Sequence, residues 1–255
     1  MKITFTGTGS AMANPSRYHS SLLLSDRDEN VLIDCGDGIA RQLMQSGIPM
    51  RAITCVVITH LHPDHFAGLP GLILNMKLAG KFSSLRIVID SAHISFVKNL
   101  LNQLYVYTDR LGFELLFTPI PVSGKVEFDT FSIIMRANSH LQKYLPGYKA
   151  FSDGFVSYSV EIIQKSERLL YSSDIGSITD VREWFNNSYK YLIFEVTHIS
   201  LFDIKKIMDN TAPSKVLLTH IPRDKEEEFK AWHVSLKEDE KARVVIAYDN
   251  LAFTL

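Results

Sequence analysis

The stretch Cys55-Val56-Val57-Ile58-Thr59-His60-Leu61-His62-Pro63-Asp64-His65 passes from an apolar, β-branched run directly into four potential metal ligands. Such a run is typical of a buried strand, so the ligands lie where that strand ends. Imidazole and carboxylate groups together suit zinc or a similar divalent ion. Four of them in six residues exceed what one open catalytic ion usually takes from a single segment, which favours two ions. In the alternative interpretation some of these histidines lie on the surface and Asp64 caps a helix.

Other candidate ligands also follow short apolar runs. Six of the nine histidines lie in or just beyond such runs, namely His60, His62, His65, His140, His198 and His220. Asp174 directly follows the run Leu169-Leu170-Tyr171-Ser172-Ser173. Taken singly, each of these residues fits an ordinary loop or core position. Their common position at the ends of predicted strands favours a shared site.

These motifs resemble the metallo-β-lactamase superfamily of metallohydrolases, and within it the ribonuclease Z-like branch of phosphodiesterases. The resemblance covers nearly the whole chain, and it is most specific in the His60 to His65 run. It also includes Thr6 to Ser10, Leu32 to Gly38, Phe66 to Leu72, Tyr171 to Asp174, Glu195 to Thr197 and Leu218 to His220. The resemblance implies an α/β fold, a four-layer αβ/βα sandwich of two packed mixed β-sheets with outer helices.

The resemblance also implies the roles of individual residues. One metal would be held by His60, His62, His140 and Asp174, and a second by Asp64, His65, Asp174 and His220, with Asp174 and a hydroxide bridging the two. Asp64 would in addition accept the proton of the attacking water. His198 matches the histidine thought to protonate the leaving group in ribonuclease Z, and Glu195 matches the glutamate that orients it. The expected cofactors are therefore two divalent ions, zinc or alternatively manganese.

The function expected from this site is that of a dinuclear metal-dependent hydrolase, a phosphodiesterase that acts on a small-molecule or short phosphodiester. His198 beside Glu195 favours phosphate-ester chemistry, because a poor alkoxide leaving group needs a proton. One alternative is an acyl hydrolase, acting on a lactone, thioester or β-lactam with the same metals. Another is a metal-binding sensor that has lost turnover. The Gly7-x-Gly9 pattern is only weak evidence for a dinucleotide loop, since Met12 occupies the third glycine position.

Two segments depart from the ribonuclease Z pattern. Residues 141–153 add backbone between His140 and the next predicted strand. The long basic arm with which ribonuclease Z enzymes grip tRNA is reduced to Gln164-Lys165-Ser166-Glu167-Arg168, a tight hairpin. RNA remains a possible substrate, but the net charge of −1 and the pI of about 6.8 do not support a dedicated nucleic-acid binder.

Length and patterning predict one domain, residues 1–255. Strands are expected near residues 2–6, 20–24, 30–34, 54–59, 85–90, 113–118, 131–137, 154–163, 168–173, 190–196, 215–219 and 243–247. Helices are expected near residues 37–46, 70–79, 92–105, 178–186, 200–209 and 223–236. Asp34, at a strand end, is expected to hydrogen-bond a ligand histidine and fix its tautomer.

Three expectations concern the protein's surroundings. No apolar run of 18 residues is present, which predicts no membrane span. Cys35 and Cys55 have no spacing typical of a metal pair, and reduced thiols suit a cytoplasmic location. The segment Phe66 to Ala79 carries Leu69, Leu72, Ile73, Leu74, Met76 and Leu78, more apolar surface than one buried helix face requires. We therefore expect a homodimer that pairs through this region, as the related phosphodiesterases do; the alternative is a helix that is fully buried within one subunit.

Overall fold

The structure, a computed structural model, describes residues 1–147, 154–210 and 215–255. A first sheet is built mainly from the first half of the chain. Its sequential strands are β1 (Lys2–Gly7), β2 (Ser21–Asp26), β3 (Glu29–Ile33), β4 (Cys55–Val57), β5 (Leu85–Ile89) and β6 (Leu115–Pro119). Pairing is antiparallel from β1 to β3 and parallel from β3 to β6, so the sheet is mixed.

The second half of the chain forms a matching sheet. Its strands, in spatial order as well as chain order, are β7 (Lys125–Glu127), β8 (Ser132–Asn138), β9 (Ser157–Gln164), β10 (Glu167–Tyr171), β11 (Tyr191–Glu195), β12 (Lys215–Thr219) and β13 (Val244–Ile246). Strands β7 to β10 pair antiparallel and β10 to β13 pair parallel. The last strand, β14 (Ala252–Thr254), crosses back and pairs with β1 in the first sheet.

The helices are α1 (Ile39–Gln45), α2 (Pro63–Phe66), α3 (Leu69–Leu78), α4 (Ser91–Gln103), α5 (Leu201–Asn210), α6 (Glu226–Ser235) and α7 (Glu238–Lys241). Short 3₁₀ helices span Met50–Ala52, Thr108–Arg110, Gln142–Tyr144, Ile178–Asn186 and Arg223–Lys225. None of the described helices has both the length and the apolar composition needed to cross a membrane.

Three apolar cores hold four layers together. The inner faces of the two sheets pack against each other, for example Val31 and Val57 with Ile162 and Ile193. The outer face of the first sheet packs against α1, α3 and α4. The outer face of the second sheet packs against α5, α6 and the 178–186 helix. The central strands are buried on both faces, which accounts for their nearly continuous apolar runs. The predicted four-layer αβ/βα sandwich is thus confirmed.

Most predicted elements are present, with several corrections. The segment 178–186 is a 3₁₀ helix, and the predicted helix at 223–236 begins with a 3₁₀ turn and becomes α-helical at Glu226. The strand predicted from residue 154 begins at Ser157. Strands β7 and β14 and helices α2 and α7 were not predicted, because elements of three or four residues are too short to show a periodicity.

The tight hairpin is confirmed, since only two residues separate β9 from β10. Part of the 141–153 segment, residues 148–153, lies outside the described residues.

Candidate metal centre

The candidate ligands converge because parallel strands end at the same edge of their sheet. Strand β4 leads into His60, β10 into Asp174 and β12 into His220. Strand β8, antiparallel to β9 and therefore directed like β10, ends two residues before His140. Since the two sheets pack face to face, these strand ends meet between them. The fold thus brings together residues that are up to 160 positions apart in the chain.

Left-handed backbone turns the chain just after strands β3, β10 and β12. The angle φ is 64° at Asp34, 49° at Ser173 and 55° at His220. This conformation is unfavourable for residues other than glycine and typically costs about 1–3 kcal/mol when it is imposed. It tends to persist only where surrounding contacts enforce it, and such positions cluster at functional sites.

The first ligand group contains His60, His62, His140 and Asp174, with donor atoms all within 4.8 Å of one another. The His62 Nδ1 atom lies 3.1 Å from His60 Nε2 and 3.2 Å from His140 Nε2. The Oδ2 atom of Asp174 lies 3.9 Å from His60 Nε2 and 3.7 Å from His140 Nε2. Three imidazoles and one carboxylate oxygen therefore surround a common point.

The second group contains Asp64, His65, Asp174 and His220, again within 4.8 Å. The Nε2 atoms of His65 and His220 are 3.3 Å apart, and His220 Nε2 lies 3.1 Å from Asp64 Oδ2. The Oδ1 atom of Asp174 lies 3.3 Å from His65 Nε2 and 3.2 Å from His220 Nε2. Asp174 thus directs one oxygen to each group.

The residues present fit divalent ions. The first group offers three imidazole nitrogens and one carboxylate oxygen. The second offers two imidazole nitrogens and two carboxylate oxygens. Both donor sets suit zinc. Asp174 Oδ1 is buried and accepts no hydrogen bond from the described residues. A buried carboxylate oxygen without a donor is unfavourable unless a cation compensates it. The remaining histidines, His19, His93 and His233, belong to none of the described ligand groups.

The charge states of His140 and of the two carboxylates suit metal binding, whereas at His65 and His220 the nearby carboxylates outweigh burial and raise the pKa above the usual value. Burial lowers the pKa of His140 to about 3, so its imidazole is neutral at pH 7. Burial also opposes ionisation of Asp174, but His220 and His65 outweigh it and hold the pKa of Asp174 well below its usual value. Burial would also raise the pKa of Asp64, but the hydrogen bond with His220 and the nearby histidine charges outweigh it and lower that pKa to about 2. Both carboxylates are therefore anionic at neutral pH, as ligation requires.

Hydrogen bonds behind the ligands fix the orientation of their rings. The Nδ1 atom of His65 lies 2.7 Å from Asp34 Oδ2, so the hydrogen bond predicted for Asp34 is present. The Asp34 carboxylate also accepts from the Thr59 backbone N–H at 2.8 Å and from the Thr59 hydroxyl at 2.9 Å. Thr197 Oγ1 lies 2.8 Å from His220 Nδ1. These contacts leave the Nε2 atoms of His65 and His220 directed at the site. Thr197 has no local sequence signal for this role, because only the pairing of β11 with β12 brings it to His220.

His198 and Glu195 lie together at the rim of the site. Glu195 is buried, and its Oε1 atom lies 3.2 Å from His198 Nδ1. Its Oε2 atom accepts the backbone N–H groups of Thr197 at 2.7 Å and His198 at 2.8 Å. The His198 ring is about one quarter exposed, and its Nδ1 lies 4.0 Å from Asp174 Oδ2. The three-residue spacing thus forms a tight turn that places the imidazole between its carboxylate partner and the ligand cluster.

Comparisons with known proteins place these features in context. A family model described as Anti-Pycsar protein Apyc1 matches residues 1–239. Ribonuclease Z from Methanococcus maripaludis is 26% identical over an alignment that covers 100% of both chains. Zinc phosphodiesterase ELAC protein 1 from Bos taurus is 49% identical over 78 residues, which are 31% of this chain and 22% of that protein. The structure of human tRNase Z, short form, has a TM-score of 0.74 at 21% identity and covers 100% of this chain and 99% of that chain. The predicted relationship to ribonuclease Z is confirmed by these sequence relatives. The structure also shares the fold of the metallo-β-lactamase fold protein YhfI from Bacillus subtilis, with a TM-score of 0.71 at 20% identity over 99% of this chain and 98% of that chain.

Proposed function

Because the chain belongs to the Anti-Pycsar protein Apyc1 family, we propose that this metal-dependent phosphodiesterase hydrolyses small or short phosphodiesters at the histidine and aspartate cluster. The observation that carries this proposal is the position of Asp174, whose two oxygens face two separate ligand groups. Such an arrangement suits a pair of ions that act on one phosphate. It also supports the ligand roles proposed for His60, His62, Asp64, His65, His140, Asp174 and His220.

The proposed cofactors are two divalent ions, zinc in preference to manganese. Imidazole-rich sites suit zinc, whereas manganese favours carboxylate, carbonyl and water ligands. Two such ions polarise a phosphoryl oxygen and can lower the pKa of bound water to about 7. The chain's own residues then hold the substrate and move protons.

In the proposed reaction a water oxygen forms a bond to phosphorus and the ester bond to the leaving group breaks. Asp64 is the proposed acceptor of the water proton. Its pKa of about 2 makes it a stable anion but a weak base, so its action depends on the acidity of the water. His198 is the proposed donor to the departing alkoxide, with Glu195 holding Nδ1 so that Nε2 can face the substrate.

The small size of the proposed substrate follows from what surrounds the site. Strands β9 and β10 are joined by two residues, where ribonuclease Z enzymes carry the arm that grips tRNA. The net charge of −1 gives no broad attraction for a long polyanion. A substrate with one or two phosphodiester bonds needs neither feature.

A panel of substrates tests the proposed function. Zinc-loaded and manganese-loaded protein would be assayed on bis-p-nitrophenyl phosphate, a dinucleotide, a cyclic mononucleotide, a tRNA precursor, a lactone, a thioester and a β-lactam. We expect turnover of the small phosphodiesters in preference to all the others. Turnover of an acyl substrate alone would replace the proposal with an acyl hydrolase, and no turnover of any diester would overturn it.

Two structural proposals accompany this function. We propose that residues 1–255 act as one domain, because β14 returns to pair with β1 and one core joins the sheets. We also propose a homodimer. The apolar surface expected for α3 is smaller than predicted, because Leu69, Leu72, Ile73 and Met76 are fully buried within the subunit. The exposed part consists of Leu74, Leu78 and, just beyond α3, Phe82, which are 41%, 75% and 86% exposed.

Sedimentation velocity tests the homodimer. The wild-type protein at micromolar concentration should sediment as a dimer, and Leu78→Glu combined with Phe82→Glu should sediment as a monomer with unchanged circular dichroism. A matched change on another face, Phe202→Glu, replaces a side chain that is 74% exposed and should leave the dimer intact. A monomeric wild-type protein would remove the proposal.

A further inference from the structure

A series of ring contacts runs through the candidate metal centre from His198 to Tyr144. The His198 ring lies 4.6 Å from the His140 ring, which lies 4.9 Å from the His62 ring, measured between centroids. The His62 ring in turn lies 6.1 Å from Tyr144, at an interplanar angle of 88°. Tyr144 therefore adjoins the ligand cluster at His62, whereas His198 adjoins it at His140. The proposed leaving-group donor and Tyr144 thus pack against different ligands.

Lys143 places a positive charge at the Tyr144 end. The side chain is exposed, and its Nζ lies 5.3 Å from the centroid of the Tyr144 ring. Lys143 forms no ion pair with any carboxylate in residues 1–147, 154–210 or 215–255. An exposed ammonium group beside Tyr144, which itself adjoins His62, is available to a bound anion.

The Tyr144 ring is itself available to a ligand. About one third of the residue is exposed, one edge contacts His62, and the ring of Phe155 lies 6.2 Å away. The two aromatic side chains form a partly exposed apolar wall beside the metal ligands. Such a wall suits a planar group, since aromatic rings pack well against aromatic and heterocyclic faces.

We propose that Lys143 and Tyr144 form the subsite for the part of the phosphodiester that remains on phosphorus after the leaving group departs. The Lys143 ammonium binds a non-bridging phosphate oxygen, and the Tyr144 ring packs against a planar aromatic or heterocyclic group on the retained ester arm. This assignment rests on the proposed function, because His198 marks the leaving-group side only if a phosphodiester is hydrolysed. It deepens that function by naming the preferred substrate class, diesters whose retained arm ends in a planar ring.

Two substrates with the same leaving group test the subsite. Both bis-p-nitrophenyl phosphate and methyl p-nitrophenyl phosphate release p-nitrophenolate, but the retained arm is aromatic in the first and methyl in the second. Tyr144→Ala should lower kcat/KM about five- to tenfold on the aromatic diester and less than twofold on the methyl diester. Tyr144→Phe, which keeps the ring, should behave as wild type on both.

Lys143 should show a different pattern, because both substrates carry the same anionic phosphate. Lys143→Ala should lower kcat/KM about 10- to 100-fold on both diesters, as expected for loss of a hydrogen bond to a charged group. Lys143→Arg should retain most of the activity. Lys215→Ala is the matched control, since Lys215 is an exposed lysine at the opposite end of β12 from the site. Metal content and circular dichroism should be unchanged in every variant.

Equilibrium binding separates this proposal from the proposed function. Calorimetry on zinc-loaded protein would compare diphenyl phosphate with dimethyl phosphate, and it needs no turnover. Tighter binding of diphenyl phosphate that is lost in Tyr144→Ala would support the subsite even if no diester were hydrolysed. Wild-type protein that binds neither probe, or Tyr144→Ala losses of equal size on both substrates, would overturn it. Unchanged kinetics and binding in Lys143→Ala would likewise overturn the role of Lys143.

Discussion

Replacement of His198 by alanine tests the proposed proton donor most directly. The structure predicts that this variant folds normally, because the turn that carries His198 is held by the backbone. Glu195 Oε2 accepts the backbone N–H groups of residues 197 and 198 at 2.7 and 2.8 Å, and neither bond needs the imidazole. The ring is partly exposed, so its removal leaves no closed cavity. A loss of activity would therefore report on chemistry and not on stability.

The expected magnitude depends on the leaving group. General acid catalysis usually contributes about 10²–10⁴-fold, equivalent to about 3–5 kcal/mol of transition-state free energy. We expect this full loss in His198→Ala on a dinucleotide, whose sugar alkoxide departs poorly without a proton. On methyl p-nitrophenyl phosphate the loss should be less than tenfold, since p-nitrophenolate departs unprotonated. Glu195→Gln should show a weaker form of the same difference, because the amide still contacts Nδ1 but no longer supplies a negative charge at 3.2 Å.

The assay measures kcat/KM on both substrates for zinc-loaded wild-type and variant proteins, together with metal content by mass spectrometry. The metal measurement is necessary because Glu195, His198 and His220 also place ligand atoms within 4.8 Å of one another. Equal losses on the two substrates, or loss of metal, would refute the donor role and make His198 a positioning residue or a ligand. Full activity on both substrates would assign it no part in the reaction.

Three further predictions concern the ligands and the thiols. Asp174→Ala should lose more zinc than His60→Ala, because the Asp174 carboxylate faces both ligand groups and its loss also restores repulsion between the two ions. Undiminished zinc loading of Asp174→Ala, measured by metal analysis, would contradict this. Asp34→Ala should weaken zinc affinity about 10- to 100-fold, because His65 loses its hydrogen-bond acceptor at 2.7 Å. Chelator competition measures this affinity, and an unchanged value would show that the His65 ring is held by packing alone. Burial raises the pKa of Cys55 to about 12 and raises that of Cys35 well above its ordinary value, so both thiols stay protonated at pH 8, where the reactive thiolate is absent. Ellman's reagent should therefore label both only after unfolding, and rapid labelling of native protein would show that the thiols are accessible.

The sequence alone was enough to predict the segment of candidate metal ligands and the layered fold. The segment from His60 to His65 contains four candidate ligands, and a strand followed by a single helical turn, α2, keeps them close whatever the rest of the chain does. The layered fold was implied by the resemblance to the metallo-β-lactamase superfamily, and the alternation of predicted strands and helices in both halves of the chain agrees with two packed sheets under outer helices. Both inferences depend on local periodicity and short-range spacing, which a sequence displays directly.

Only the tertiary structure decided which atoms meet across the site. Asp174 directs Oδ2 to one ligand group and Oδ1 to the other because β10 lies between strands whose ends carry the remaining ligands. The contacts of Asp34 with His65 and of Thr197 with His220 join residues 31 and 23 positions apart. The position of Tyr144 beside His62 likewise depends on how the 3₁₀ turn after His140 folds back on the ligand cluster. Such contacts follow from strand order, register and left-handed turns, and these are set by the packing of the whole chain, which no local pattern records.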